Sequence, residues 1–403
     1  MARSVTRYAA WAPLAVGVLL AGACTGPPAP SSTGPTTPVP EATAVAEARW
    51  SDLGPPDGEA VVTLAAYRNG VLVGTMTRDP AMVPGLWSLA GGRWARLPVR
   101  GVSPYAPLAE WLDLEVLPGD GVVAVGGARG GAHANVRWTV WKGSIADGLV
   151  EQEQPFNVFG GWGAGDQKAV VATGAGPMLV GSWASARTGL DIGIWLPQGE
   201  RWVRQDPAGT VLESSPSALT SAQAAAGWGD GALVVGSVVR LVDGVQQLPA
   251  AWRSARGNEG WSRVELPDGG RLGDAQSVAC DGSGCVVAGV VDGGLAAWRI
   301  DASGAARRLV GLPEVVLHEG DPPPVALLAS GRAVLLATDQ SAGQGSAAGP
   351  GIMVLREQAG GWSRAPGPPG VLVTAVVGPD GTLYAAARQP SAPTRLWATT
   401  PAQ

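Results

Sequence analysis

The feature that most constrains this chain is an apolar strand ending in tryptophan, which returns seven times. It appears as "GLW" at Trp87, "TVW" at Trp141, "GIW" at Trp195, "AAW" at Trp252 and again at Trp298, "IMVL" with Leu355 in the tryptophan slot, and "RLW" at Trp397. The intervals run from 42 to 57 residues, a period typical of stacked β units. A β-branched run precedes each marker, such as "VLVGTMT" from Val71, "VVAVGGA" from Val122 and "CVVAGVV" from Cys285. Before that run comes a glycine turn such as "WGDGA" or "GPDGT", which supplies the positive φ of a tight hairpin. After the marker a fourth strand follows, frequently with its own tryptophan: "GGRWARLP", "GERWVRQDP", "GGWSRAPGP". The unit is a four-stranded antiparallel meander. One meander cannot bury both of its faces, so copies must stack around a ring.

The fold class expected is therefore all-β, a seven-bladed β-propeller over residues 49–403. The last repeat stops at its third strand, "TRLWATT", while "EARWSDLGPP" around Trp50 reads as an orphan fourth strand. Pairing the two closes the ring. Six or eight blades stay open at this point, because the repeat from Trp111 to Trp141 is irregular and Leu355 replaces a tryptophan.

Ahead of the repeats, "MARSVTRYAAWAPLAVGVLLAGAC" places Arg3 and Arg7 before an apolar run and small residues up to Cys24, the pattern of a secretory leader over residues 1–23. The apolar run is shorter than the ~20 residues that a helix needs to cross a bilayer. Leu20 to Cys24 resembles a bacterial lipobox, with Ala21 where that pattern prefers Leu; the resemblance implies a lipid on Cys24 and an anchor in the cell membrane. Ordinary signal peptidase could cut the same bond and leave a free thiol in a secreted chain. Residues 24–48 then form a tether rich in Pro, Thr and Ser with almost no charge, which stays extended.

Composition narrows the partners. The net charge is −5, and no basic run exists to release counterions from a phosphate backbone, so no nucleic acid is expected. Cys280 and Cys285 flank "DGSG" in one hairpin, and in an exported protein they are expected to form a disulfide. No cofactor and no metal site are expected, and the chain is expected to be a monomer.

In "WRSARGNEGW", Ser254 and Trp261 have the spacing of the Asp-box turn of sialidase-type propellers, with Arg256, Asn258 and Gly260 where that pattern has Asp, Gly and Thr. On this and the repeat, residues 50–403 resemble the sialidase-like and repeat-type propeller lipoproteins of high-GC bacteria. A sialidase-type site, as the resemblance implies it, needs three arginines, a tyrosine nucleophile backed by Glu, and an Asp acid. Tyr105, in the loop "GVSPYAP" near Glu110 and Asp113, is the tyrosine best placed for it. The innermost strands, including "VVTLAAY", "AQAAAGWG" and "VTAVVG", offer little acid–base chemistry. No catalytic residue is assigned.

Binding fits better than catalysis. Loops leading into each blade gather on one face, and they carry Tyr105, Phe156, Phe159 and Trp162, with a polar group of His318, Glu319 and Asp321. These seven residues form the candidate binding face. Trp162 and Trp228, each framed by glycines, could instead plug the channel mouth. The function expected is a non-enzymatic, extracytoplasmic binding or scaffold lipoprotein whose partner is an envelope protein or a cell-wall glycan; the alternative is a sialidase-like glycoside hydrolase. Cells fed labelled palmitate should incorporate it into the chain and not into Cys24→Ala; label retained by the variant refutes the anchor.

Overall fold

The computed structural model describes residues 49–54, 58–77, 83–129, 136–241, 244–318, 320–340, 350–389 and 392–399. The leader, Cys24, the tether and Glu319 lie outside the described residues.

Seven sheets form the ring. Blade 1 comprises Ala60–Tyr67, Gly70–Met76, Pro84–Ala90 and Arg93–Arg96; blade 2, Glu110–Val116, Gly121–Arg129, Val136–Ser144 and Gly148–Gln152. Blade 3 runs Ala164–Thr173, Gly176–Ala184, Leu190–Gln198 and Arg201–Arg204; blade 4, Ala218–Trp228, Gly231–Arg240, Gln246–Arg253 and Ser262–Glu265. Blade 5 is Gly273–Asp281, Gly284–Val291, Gly294–Asp301 and Ala306–Arg308; blade 6, Val325–Ala329, Arg332–Asp339, Gly351–Gln358 and Gly361–Pro369. Blade 7 takes three strands from the C-terminal end, Val371–Val377, Leu383–Arg388 and Arg395–Thr399, and its fourth, Trp50–Asp52, from the other end. Each first strand touches the first strand of the next blade, and Val371–Val377 returns to Ala60–Tyr67. The fold and the count of seven are as the repeat predicts.

The clasp pairs Trp50 with Thr399, Ser51 with Ala398 and Asp52 with Trp397, antiparallel. Asp52 Oδ2 meets Arg395 Nε at 2.7 Å, and the Leu53 amide donates to the Leu396 carbonyl at 2.9 Å. Blade 2 departs from the four-stranded pattern of the others. The chain leaving blade 1 adds a fifth strand, Val99–Arg100, parallel to the outer edge of blade 2 at Leu149 and Val150.

Burial explains the strand chemistry. Second strands lie under the neighbouring blade on both faces, so they are continuously apolar; Val71, Leu72 and Val73, or Val122 to Val125, are wholly buried. Outer strands have one wet edge and read as "RWAR" or "RWVR", with exposed arginines flanking a covered tryptophan. Six of the seven first strands carry a register shift, for example between Trp111 and Asp113 or Gln167 and Ala169, and such bulges sharpen the strand twist. The predicted disulfide joins Cys280 to Cys285 across the first hairpin of blade 5, where the two are register partners. Closing so short a loop restricts the unfolded chain by roughly 2 kcal/mol.

The tryptophan markers do more than fill the core. Trp195, Trp252 and Trp298 are fully buried, and each indole N–H donates to a carbonyl in the loop leading into its own blade: Val158 at 2.9 Å, Val211 at 3.0 Å and Pro267 at 2.7 Å. Trp87 does the same to Glu59 Oε2, just ahead of blade 1, at 3.0 Å. In blade 6, where Leu355 occupies the slot, the fourth-strand Trp362 reaches Val310 at 3.1 Å instead.

Trp228 is not at the channel mouth. It ends the first strand of blade 4, beside the first hairpin turn, buried in the core between blades 4 and 5 with the Arg253 guanidinium 3.9 Å above its ring. The glycine frame that suggested a blade entrance belongs to that hairpin. The degenerate Asp-box turn does join third to fourth strands: Ser254 Oγ, buried, accepts from the Ala232 amide at 2.8 Å, and Trp261 Nε1 donates to Asn258 Oδ1 at 2.9 Å. Trp195→Phe keeps an aromatic core residue but loses the bond to Val158. It should lower stability by about 1–3 kcal/mol in denaturant titration, with hydrogen exchange rising first around Val158.

Candidate binding cleft and channel seam

Two incoming loops converge over the outer half of blade 2. The first, after Arg100, is pinned by Glu151: its carboxylate accepts from the Val102 amide at 2.7 Å and from the Ser103 amide and hydroxyl at 2.6 Å each. This buried carboxylate is fully answered by donors, which fixes the backbone carrying Tyr105. The second loop makes one helical turn, Phe156–Phe159, anchored below by the Trp195–Val158 bond. Gly160 follows; a Cβ there would lie 2.3 Å from the Phe156 ring, so glycine lets that ring fold across the turn.

Between the two loops and the start of the third strand of blade 2 lies a cleft of about 460 Å³, lined by Tyr105 and Phe156 among others. The Arg137 guanidinium stands 4.4 Å from the centre of the Phe156 ring and 5.8 Å from that of Tyr105. This is cation–π geometry. Arg137 forms none of the ion pairs found among the described residues.

The candidate face divides here. Tyr105, Phe156 and Phe159 all line the cleft, but Phe159 is buried and packs on Trp195 with ring centres 5.8 Å apart. It is therefore corrected from contact residue to support. Trp162 is fully exposed and plugs nothing. His318 and Asp321 belong to blade 6, across the ring. There Asp321 is taken up in holding its own loop, accepting from the His318 amide at 2.8 Å and from Gln340 Nε2 at 2.7 Å. His318 borders a separate cavity of about 530 Å³, and Glu319 lies outside the described residues. Among the described residues no group of three His, Cys, Asp or Glu side chains is arranged to hold a metal ion.

The channel corrects a second expectation. The first strand of blade 2, "EWLDLEV", sends Asp113 and Glu115 to the seam with blade 3, where Asp113 Oδ2 accepts from the Val170 amide at 2.8 Å and Glu115 Oε1 from the Ala172 amide at 3.3 Å. Asp113 thus serves the neighbouring strand and not Tyr105. Blades 5 and 6 use a neutral version of the same brace, Ser277 Oγ accepting from the Ala326 amide at 2.8 Å. Desolvation pushes the Asp113 carboxyl up to about 7, against the pull of its backbone donors. Desolvation, and then the charge of Asp113, push Glu115 up to about 8. Both residues are only partly exposed, and loss of water around a carboxyl disfavours its charged form. Farther round, Asp274 is raised by desolvation despite the nearness of Ser237, Gln276, Gln223 and Lys168, and its Oδ1 receives no hydrogen bond. Gln223, Gln276 and Lys168 are the extra residues of the bulges in blades 4, 5 and 3.

Neither a family model nor a curated protein matches the sequence. Among solved structures, a sialidase of Trypanosoma rangeli is similar at 11% identity and a TM-score of 0.45, over 85% of this chain and 55% of that one. The chain thus spans about half the length of that sialidase. The propeller domain of the Trilobed protease of Pyrococcus furiosus is similar at 9% identity and a TM-score of 0.47, over 85% and 96% of the two chains. A protein of Lactobacillus plantarum follows at 13% and 0.45, over 77% and 86%.

The raised carboxyls set a pH dependence. The folded chain holds these protons more tightly than the unfolded one, so their contribution is complete below about pH 4 and is lost as pH rises through about 7 and 8. Asp113→Asn with Glu115→Gln keeps both acceptors and removes the titration. Its melting temperature should gain on the parent between pH 5 and pH 8.5, by the equivalent of about 1–2 kcal/mol; parallel pH profiles would refute the assignment.

Proposed function

We propose that this propeller is a non-enzymatic binding platform, tethered outside the cell membrane by a lipid on Cys24, and that the cleft on blade 2 is where its partner docks. The observation that carries this reading is Arg137 set between Tyr105 and Phe156 in a cleft built by two pinned loops. Arginine and aromatic side chains dominate binding energy at interfaces, and a preformed concave site limits the ordering cost of association. The chain stiffens the cleft in advance through Glu151 and Trp195.

The hydrolase reading keeps one observation in its favour, the elevated carboxyls Asp113 and Glu115, since such shifts accompany acid–base catalysis. Their oxygens, however, are engaged with the amides of blade 3, which makes them braces of a seam. The platform reading is tested with a photocrosslinking residue at Phe156 in living cells. One envelope component should be captured, and its yield should fall several-fold with Tyr105→Ala. Adduct formation that Tyr105→Ala leaves unchanged counts against the cleft. Turnover of a fluorogenic glycoside by the purified chain, abolished by Asp113→Asn or Tyr105→Phe, would replace the platform with an enzyme.

A further inference from the structure

The polar side chains of the blade 2 cleft fall into two classes. Glu151, Gln152, Gln154, Ser103 and Thr139 are already engaged inside the fold. Glu151 holds the Val102 and Ser103 amides, and Ser103 Oγ donates to Glu151 while receiving the Tyr105 amide at 3.3 Å. Gln152 donates to Glu200 at 2.8 Å and accepts from the Trp202 indole at 3.2 Å, while Gln154 accepts from the Trp202 amide at 2.9 Å and donates to the Glu200 carbonyl at 2.8 Å. Thr139 donates to the Gly126 carbonyl at 3.2 Å and accepts from Trp141 at 3.0 Å. What stays open is mostly donor. The Arg137 guanidinium, the Tyr105 phenol and the Trp138 indole make no hydrogen bond among the described residues; Arg137 and Trp138 can only donate, the phenol can donate or accept, and Glu153 is the one open carboxylate.

Around these donors the walls are apolar or aromatic: Pro104, Val136, Pro155 and the Phe156 ring. A sugar presents several hydroxyls that each want a donor and an acceptor, and among the described side chains the open acceptors of this cleft are only the Tyr105 phenol and the exposed Glu153. A carboxylate on an apolar body needs the opposite, donors at one point and apolar contact elsewhere. Glu153 carries the same sign as such a ligand but is exposed at the rim, where salt and water screen it.

We infer that the cleft takes the C-terminal carboxylate of a peptide chain, with Arg137 gripping the carboxylate and the proline and aromatic walls receiving the apolar last side chain. This rests on the binding-platform reading and names its ligand class. The planar guanidinium, held between two rings, presents a fork that matches a carboxylate in two hydrogen bonds.

The test is isothermal titration calorimetry on the full chain with acetyl-Ala-Phe, acetyl-Ala-Leu and acetyl-Ala-Ala, each as free acid and as C-terminal amide, beside glucuronate and methyl glucoside. The free acids ending in Phe or Leu should bind, their amides about tenfold more weakly or worse, and added salt should weaken only the acids. Arg137→Gln should bring the acids down to the level of the amides, and Arg137→Lys, which keeps the charge without the fork, should fall between. Thermal melts of both variants check that the ring is intact. Equal binding of acid and amide, no saturable binding by any peptide, discrimination that survives Arg137→Gln, or tighter binding of glucuronate overturns the inference. If the peptides fail while the Phe156 crosslink still depends on Tyr105, the ligand class is wrong and the platform stands; if the crosslink is indifferent to Tyr105 as well, both fall.

Discussion

The bond from a buried indole N–H to the carbonyl of an incoming loop is the interaction on which the rest of this structure depends. A propeller of stacked meanders gains its core from apolar area, which is non-directional and fixes no loop. Loops between blades are the parts that such burial leaves unspecified. In blades 3, 4 and 5 the tryptophan that fills the third-strand slot also holds the loop feeding its own blade, at Val158, Val211 and Pro267. One residue type thereby couples core packing to the geometry of the face. When the slot loses its tryptophan at Leu355, a neighbouring strand supplies the bond through Trp362, whereas Trp141 donates within its own strand to Thr139 and makes no such tie.

The same economy runs through the two polar regions. In the cleft, Glu151 answers three donors of one loop, so the rings above it stand on a fixed base. At the seam, Asp113 and Glu115 satisfy amides at the edge of the next blade's first strand, where an unpaired N–H would be costly. Ser277 shows that a hydroxyl can do this without charge. Carboxylates in that role bring a titration near neutrality that a hydroxyl does not.

Architecture was legible in the sequence because it is written in a repeat. Seven markers, the glycine turns and the orphan strand at Trp50 pointed to seven blades and to the closure, with six or eight left open by the irregular second repeat and Leu355, and the spacing of Cys280 and Cys285 pointed to the disulfide. The site was half legible. Tyr105 and Phe156 stood out as aromatics on polar loops, but Arg137 looked like any of the arginines scattered along the strands, and only the tertiary fold sets it beside two rings that are 51 positions apart in the chain. Phe159 and Trp228 misled for a related reason, since nothing in their local glycine-rich surroundings distinguishes an outward ring from an inward one. The alternation of Asp113 and Glu115 along "EWLDLEV" was a visible signal of a polar strand face. The other first strands, rich in Ala, Ser and Thr, mask that signal.

The clasp carries a consequence for the order of assembly. Asp52 and Arg395 are 343 positions apart, and joining them comes late for entropic reasons, since long-range closure must wait for the chain between to condense. Every residue of the cleft, by contrast, comes from Ser103 to Gly160, so its walls are contiguous in sequence and need only blades 2 and 3 to form. The cleft can therefore be complete on a ring that has not yet shut, and opening the clasp would undo the circle while leaving those walls in place.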